Sequence, residues 1–114
     1  MAKIFVQQFP TVWQTSASLA TSGSVSSGSY ASDGYARIIG LLITNASAKA
    51  GSGLRISQSG DSGSNWDYHT DYAPSACSGS AYSIEIIGNT VKIEYRTDSA
   101  ASQFRTLWQL KPID

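Results

Sequence analysis

Residues 54–72 read LRISQSGDSGSNWDYHTDY, and this stretch decides the fold. Leu54 and Ile56 alternate with polar neighbours, as the residues of a half-buried strand do. A segment rich in serine, glycine and aspartate then indicates a turn, and a second strand opens on Trp66. The pattern predicts two antiparallel strands joined by a tight connection.

Most of the chain has the same two-residue period. Residues 83–97 alternate apolar and charged side chains, and Gly88 and Asn89 have the composition of a two-residue hairpin turn. Residues 103–110 alternate in the same way, which predicts that Trp108 is buried. No segment of ten residues or more has helical spacing with caps. About eight strands at intervals of roughly 10–12 residues predict an all-β fold, a single antiparallel β-sandwich or jelly roll.

One run differs because both its odd-numbered and its even-numbered positions are apolar. Residues 35–44, YARIIGLLIT, predict a central strand that is covered on both faces. The β-branched isoleucines and the internal Gly40 favour a strand over a buried helix. Gly40 indicates a bulge or a close approach of the backbone to a neighbour.

The first third of the chain is poorest in core-forming residues. Two strands, split by Pro10, are predicted at residues 3–9 and 11–19. Residues 21–32 form either a surface loop or a flexible link. With a link, residues 1–20 would be an extended N-terminal arm that pairs with a neighbouring subunit. The predicted organisation is therefore one domain, with N-terminal strands or arm and a Ser/Gly-rich link at 1–33 and a β-sandwich core at 34–114.

Composition argues against several functional classes. The formal net charge is zero and charged residues make up 14% of the chain, with the cations scattered singly. A nucleic-acid partner is not expected, because it requires clustered cations. No apolar run approaches the roughly 18 residues of a membrane span, so no membrane partner is expected. No signal-peptide core is seen, which predicts synthesis in the cytoplasm. A near-zero net charge favours self-association.

The segment Gly60-Asp61-Ser62-Gly63 resembles the nucleophile region of chymotrypsin-like proteases. Catalysis there requires a histidine base that precedes the serine, whereas His69 follows it, and the chain is about half the required length. A hairpin turn in which Asp61 caps backbone amides is the preferred interpretation. We therefore expect no catalytic residues and no enzyme.

Other polar groups also favour structural roles. A calcium cluster of Asp61, Asp67 and Asp71 lacks the loop pattern of known calcium sites. Glu85 and Glu94 are expected to face one strand pair beside Lys92 and Arg96 and are interpreted as members of cross-strand ion pairs. The single Cys77 cannot form an internal disulfide and is expected to be a semi-buried or loop thiol. No metal or cofactor is predicted.

Aromatic residues are the candidate binding groups. The chain has three tryptophans and six tyrosines, which suit a core, a subunit interface or a sugar-stacking platform. Trp66, Tyr68 and Tyr72 share parity along the second strand of the opening stretch. These three and Trp13 are the predicted binding or interface residues.

The chain from Gly34 to Pro112 resembles small virion proteins of bacteriophages that have β-sandwich folds. The resemblance lies in GYARIIGLL, RISQSGDSGSNWDYHTDY, AYSIEIIGNTVKIEYRT and FRTLWQLKP. The residues that match the pattern are Arg37, Gln58, Asp61, Gly63, Trp66, Asp67, Tyr95 and Arg105.

The resemblance implies a structural role in a virus particle, as a capsid decoration or coat protein or a tail component. It implies a homo-oligomer, with a trimer as one option, that contacts other virion proteins and is located in the virion. The same hairpin pattern also occurs in discoidin-like carbohydrate-binding sandwiches. A carbohydrate- or receptor-binding module, with a glycan as partner, is therefore the alternative.

Overall fold

A computed structural model describes residues 10–20, 23–45, 53–72, 77–97 and 100–112. Its eight strands are β1 (Thr11–Leu19), β2 (Ser24–Ala31), β3 (Arg37–Thr44), β4 (Leu54–Ser59), β5 (Tyr68–Tyr72), β6 (Cys77–Glu85), β7 (Thr90–Arg96) and β8 (Ala101–Lys111). The predicted all-β class is confirmed. The strand predicted at residues 3–9 lies outside the described residues.

The strands form two four-stranded antiparallel sheets. Sheet I has the order β1-β8-β3-β6, and sheet II has the order β2-β7-β4-β5. Among the eight described strands, only the consecutive pair β4 and β5 lies within one sheet, and this pair is the hairpin predicted from residues 54–72. Every other consecutive pair is split between the two sheets, which gives the jelly-roll form of the β-sandwich.

The Ser/Gly-rich stretch at residues 21–32 was expected to be a loop or a link, and this expectation is wrong for most of it. Residues 24–31 form β2, which pairs with β7. The register shifts between Ser26 and Ser29, as at a β-bulge, so Val25 and Tyr30 both pack against the core although their parities differ. β1 pairs with β8 of the same chain. The described part of the first third therefore contributes one strand to each sheet.

The hairpin expected at Gly88 and Asn89 is also wrong. β6 lies in sheet I and β7 lies in sheet II, so this connection crosses between the sheets. The Asn89 amide N–H donates to the Ser59 carbonyl at 2.8 Å. A Cβ at position 88 would lie 2.5 Å from the same carbonyl oxygen. Glycine is required there because the crossing chain packs directly on β4.

The core lies between the sheets and is built from the side chains that the strands point inward. Two chains of aromatic rings cross it. Trp13 packs on Phe104, and Phe104 packs on Tyr95 of sheet II, with ring centroids 6.1 and 4.9 Å apart. The second chain joins Tyr72, Tyr82 and Trp108 at 4.8 and 5.8 Å. Trp108 is fully buried, as predicted.

Gly40 lies under Trp108. A Cβ at position 40 would be 2.2 Å from two carbons of the indole ring. The two residues are register partners on β3 and β8. The close approach that the sequence predicted for Gly40 is confirmed.

Candidate interaction surface

The outward face of sheet I carries an apolar stripe on its two central strands. On β3, Ile38 and Leu42 point into the core and are fully buried, so Ile39, Leu41 and Ile43 point outward. Leu41 is 40% exposed. Leu107 of β8 is its register partner and has the same outward parity. We call these four outward residues, Ile39, Leu41, Ile43 and Leu107, the outer stripe.

Two shallow grooves flank the centre of the outer stripe. One groove, of about 480 Å³, is lined on its apolar side by Leu41, Ile43 and Leu107 and on its polar side by Gln14 and Arg105, among others. The other, of about 250 Å³, also includes Leu41 and Leu107 and extends toward β6. The pair Leu41 and Leu107 therefore forms a ridge between two concave surfaces.

The expectation that β3 is covered on both faces holds for one face only. Sheet II covers the inward face, and no described strand packs against the outward face. The continuous apolar run at residues 35–44 correctly indicated apolar side chains on the outward face of β3. Leu107 was missed because its same-parity neighbours Arg105 and Gln109 are polar and suggested a solvated face.

The outward face of sheet II is polar by contrast. Arg55 donates two hydrogen bonds to the Asp71 carboxylate, at 2.7 and 3.0 Å. These bonds lower the pKa of Asp71 and raise the pKa of Arg55. His69 Nε2 lies 3.7 Å from the same carboxylate. The charges on this face are thus partly satisfied within one copy of the chain.

The turn between β4 and β5 is organised around Asp61. Its carboxylate accepts hydrogen bonds from the Ser59 hydroxyl at 2.7 Å and from the backbone and side-chain nitrogens of Asn65 at 2.8 and 2.6 Å. These bonds, with that from Ser59 the largest cause, lower the pKa of Asp61 to about 2. Gly63 supplies a positive φ of 97°, and Ser62 has a φ of 63°. The predicted capping role of Asp61 is confirmed.

Asp61, Ser62 and His69, the groups considered for a protease, each contact other residues. Asp61 is held by the turn, and His69 faces Asp71 on the outward face of sheet II. The Ser62 backbone N–H donates to Asn89 Oδ1 at 3.0 Å. These contacts fit the turn interpretation of the GDSG segment.

Gln58 is a buried residue whose position was not predicted. Its side-chain oxygen accepts hydrogen bonds from the backbone N–H groups of Ile87 and Gly88, at 2.7 and 3.0 Å, and its nitrogen donates to the Glu85 carbonyl at 2.9 Å. One amide thus fastens the crossing chain to β4. Gln58 continues the alternation of Leu54 and Ile56, so the sequence pattern could have predicted that its side chain points inward.

The four predicted aromatic binding residues do not form one surface. Trp13 is buried against Phe104. Tyr72 packs on Tyr82 inside the sandwich.

Trp66 precedes β5 and lies beside Lys92, whose Nζ is 4.5 Å from the ring centroid. Lys92 follows the buried Val91 and therefore points outward, which places Trp66 on the outward side of sheet II. Tyr72 points inward, so the shared parity of Trp66 and Tyr72 does not place them on one side. Tyr68 is 48% exposed and borders a small crevice of about 130 Å³.

The acidic residues are similarly dispersed. Glu85 and Glu94 lie in different sheets, so the expectation that they share a strand pair is wrong. Their register partners are Arg37 and Arg55. Within the described residues, no three His, Cys, Asp or Glu side chains could together hold a metal ion. The side chain of Cys77 lies outside the described part of the structure. No helix that could cross a membrane is found among the described residues.

Comparison with known proteins identifies no family. No protein-family model matches the chain, and no curated protein matches it. Among solved structures, a chain from work described as "Bacillus endospore appendages form a novel family of disulfide-linked pili" is similar over 98% of this chain and 97% of that chain. The identity is 13% and the TM-score is 0.41. A likeness at this level carries no argument about function.

Proposed function

We propose that this protein is a non-enzymatic structural subunit that acts by self-association. The outer stripe is the observation that carries the proposal. It places apolar side chains side by side on the two central strands of sheet I. The solvent-exposed face of an antiparallel sheet is normally polar, so this stripe is unusual for a face in contact with water. Contiguous apolar surface on a small domain is typical of a protein–protein contact.

Electrostatics support the same proposal. The formal net charge is zero, so copies of the chain repel one another weakly. The charges of Arg55 and Asp71 are paired within the chain. Apolar burial is therefore opposed by little charge repulsion when copies meet.

The finer proposal is a component of a bacteriophage or virus particle, either a capsid decoration or coat protein or a tail component. It rests on the resemblance of residues 34–112 to phage virion proteins, together with the jelly-roll order of the strands. Jelly rolls serve in viral capsids and also in lectins, so the fold alone does not choose between them. The proposed partners are copies of this chain and other virion proteins, and the proposed location is the virion.

Two experiments test the proposal at its two levels. Sedimentation velocity over a range of concentrations tests self-association, and we expect the weight-average mass to rise with concentration. A strictly monomeric protein at every concentration would contradict the structural role. Mass spectrometry of density-purified particles encoded by the genome that carries this gene tests the virion assignment. Absence of the chain from those particles would contradict that assignment alone.

A glycan-binding function is the second candidate, and the exposed Tyr68 favours it. Tyr68 borders a crevice that also contains Gln58, Asp67 and the exposed Ile87. An aromatic face beside a carboxylate suits stacking against a sugar ring with hydrogen bonds to its hydroxyls. A glycan array followed by titration of wild type and Tyr68→Ala tests it. A saccharide that binds both proteins equally, or no saccharide response, would count against this site.

A further inference from the structure

We infer that the outer stripe binds a second copy of this chain face to face, about a two-fold axis that runs across the strands through Leu41 and Leu107. The inference rests on the proposed self-association and adds the surface and the symmetry. The register of sheet I places its outward residues in rows that run across the strands.

The central row is apolar on three of its four strands. Leu41 is the register partner of both Ala81 on β6 and Leu107 on β8, and Leu107 is the partner of Gln14 on β1. An axis through this row superposes each of its members on the same residue of the second copy. Leu41 then contacts Leu41, and Leu107 contacts Leu107, as an isologous contact requires.

The rows on either side are matched to each other by the same axis. Ile39 and Ile43 lie two residues before and after Leu41, so Ile39 of one copy faces Ile43 of the other. On β8, Arg105 of one copy faces Gln109 of the other in the same way. The apolar side chains therefore meet apolar side chains, and the cation meets a neutral amide.

Charge disfavours the other simple arrangement. Arg37 and Lys111 are register partners at one end of the sheet. An axis parallel to the strands, between β3 and β8, would place Arg37 of one copy against Lys111 of the other, and like charges repel. The axis across the strands places Arg37 against Asn45, and Lys111 against Gln103. We therefore choose the axis that runs across the strands.

The size of the face sets the expected strength. A sheet of four strands, each of about eight residues, has a footprint on the order of 500 Å². Stable interfaces bury roughly 800 Å² per partner. Stacking of sheet I alone should therefore give a concentration-dependent dimer, with the strands of the two copies crossing at about 30°.

Cross-linking tests the inference in the full chain. Cys77 is first replaced by serine, so that each variant carries one introduced thiol. Stacked sheets lie about 10 Å apart, whereas a disulfide requires Cα atoms within roughly 7 Å, so a short bis-maleimide is the appropriate reagent. The variants are Leu41→Cys and, as the matched control, Ser24→Cys. Ser24 is exposed on the outward face of sheet II.

We expect Leu41→Cys to give several-fold more cross-linked dimer than Ser24→Cys. A mixture of Ile39→Cys and Ile43→Cys chains should cross-link several-fold more than Ile39→Cys alone, because the axis joins position 39 to position 43. The yield should fall on dilution in parallel with the mass measured by sedimentation.

Four results would overturn the inference. If the wild type associates but Leu41→Cys does not cross-link above the control, the stripe is not the contact, and self-association itself survives. If Ile39→Cys alone cross-links as well as the mixture, the axis is wrong. If the Leu41→Cys thiol is shielded from a maleimide in the monomer, the chain covers its own stripe. A wild type that never associates refutes the proposed function as well.

Discussion

The indole ring of Trp108 occupies the space above Gly40 where a side chain would otherwise lie. The indole Nε1 donates to the Thr106 hydroxyl at 2.6 Å, and that hydroxyl donates to the Leu41 carbonyl at 2.6 Å. The inward packing of Trp108 and the backbone under the outer stripe are therefore connected. The close packing of Trp108 on Gly40 and these hydrogen bonds link β3 and β8, the two central strands of the proposed interface.

Gly40→Ala should destabilise the protein by about 3 kcal/mol, because the added methyl group overlaps the buried indole and the core must shift. Urea unfolding followed by tryptophan fluorescence measures the change. Gly79→Ala on β6 is the matched control, since the nearest heavy atom to its Cβ would be Ile43 Cγ1 at an ordinary 3.9 Å. Equal effects of the two substitutions would contradict the assigned close approach.

Gln58→Leu should cost about 3 kcal/mol of unfolding free energy, because it removes the partners of the Ile87 and Gly88 N–H groups and of the Glu85 carbonyl. Hydrogen exchange at the Ile87 and Gly88 amides should accelerate more than exchange elsewhere in the sheets. Gln103→Leu provides the control, since its side chain is exposed. Unchanged exchange at those amides would show that the crossing chain is held in another way.

Protonation of Asp61 should weaken the fold at low pH. Its folded-state pKa, about 2, is below the ordinary value of 3.8 because Ser59 and Asn65 donate to the carboxylate. The stabilisation is therefore fully present above the ordinary pKa and is lost as the pH falls through the folded-state value. Asp61→Asn should flatten this acid limb, and Asn65→Ala should reduce it. Unfolding free energies measured from pH 5 to pH 2 would contradict the assignment if Asp61→Asn and wild type had the same slope.

Much of the fold could be predicted because its signals are local. The alternation along β4 and the turn chemistry at Asp61 are properties of neighbouring residues. β2 was missed because its bulge changes the parity between Val25 and Tyr30 and hides the two-residue period. The crossing at Gly88 was missed because a reversal within one sheet and a crossing between sheets have the same local composition. The contact that decides between them is made by Gln58, about thirty residues away in the sequence.

The candidate surface was only partly predictable for a related reason. An apolar run on both faces of β3 predicts that both faces avoid water, and it does not say which group covers each face. The aromatic residues were the more conspicuous candidates, yet burial assigns Trp13 to the core. An apolar row becomes visible only when the register places Leu107 beside Leu41.

The most direct test of the central claim is sedimentation equilibrium of the wild type beside Leu41→Lys and Ser24→Lys. Leu41 is outward and 40% exposed, so its replacement should change the unfolding free energy by only about 0.5 kcal/mol, which urea unfolding checks. We predict that the wild type and Ser24→Lys associate with rising concentration and that Leu41→Lys remains a monomer. Association of Leu41→Lys to the same extent as the wild type, or a monomeric wild type, would contradict the account.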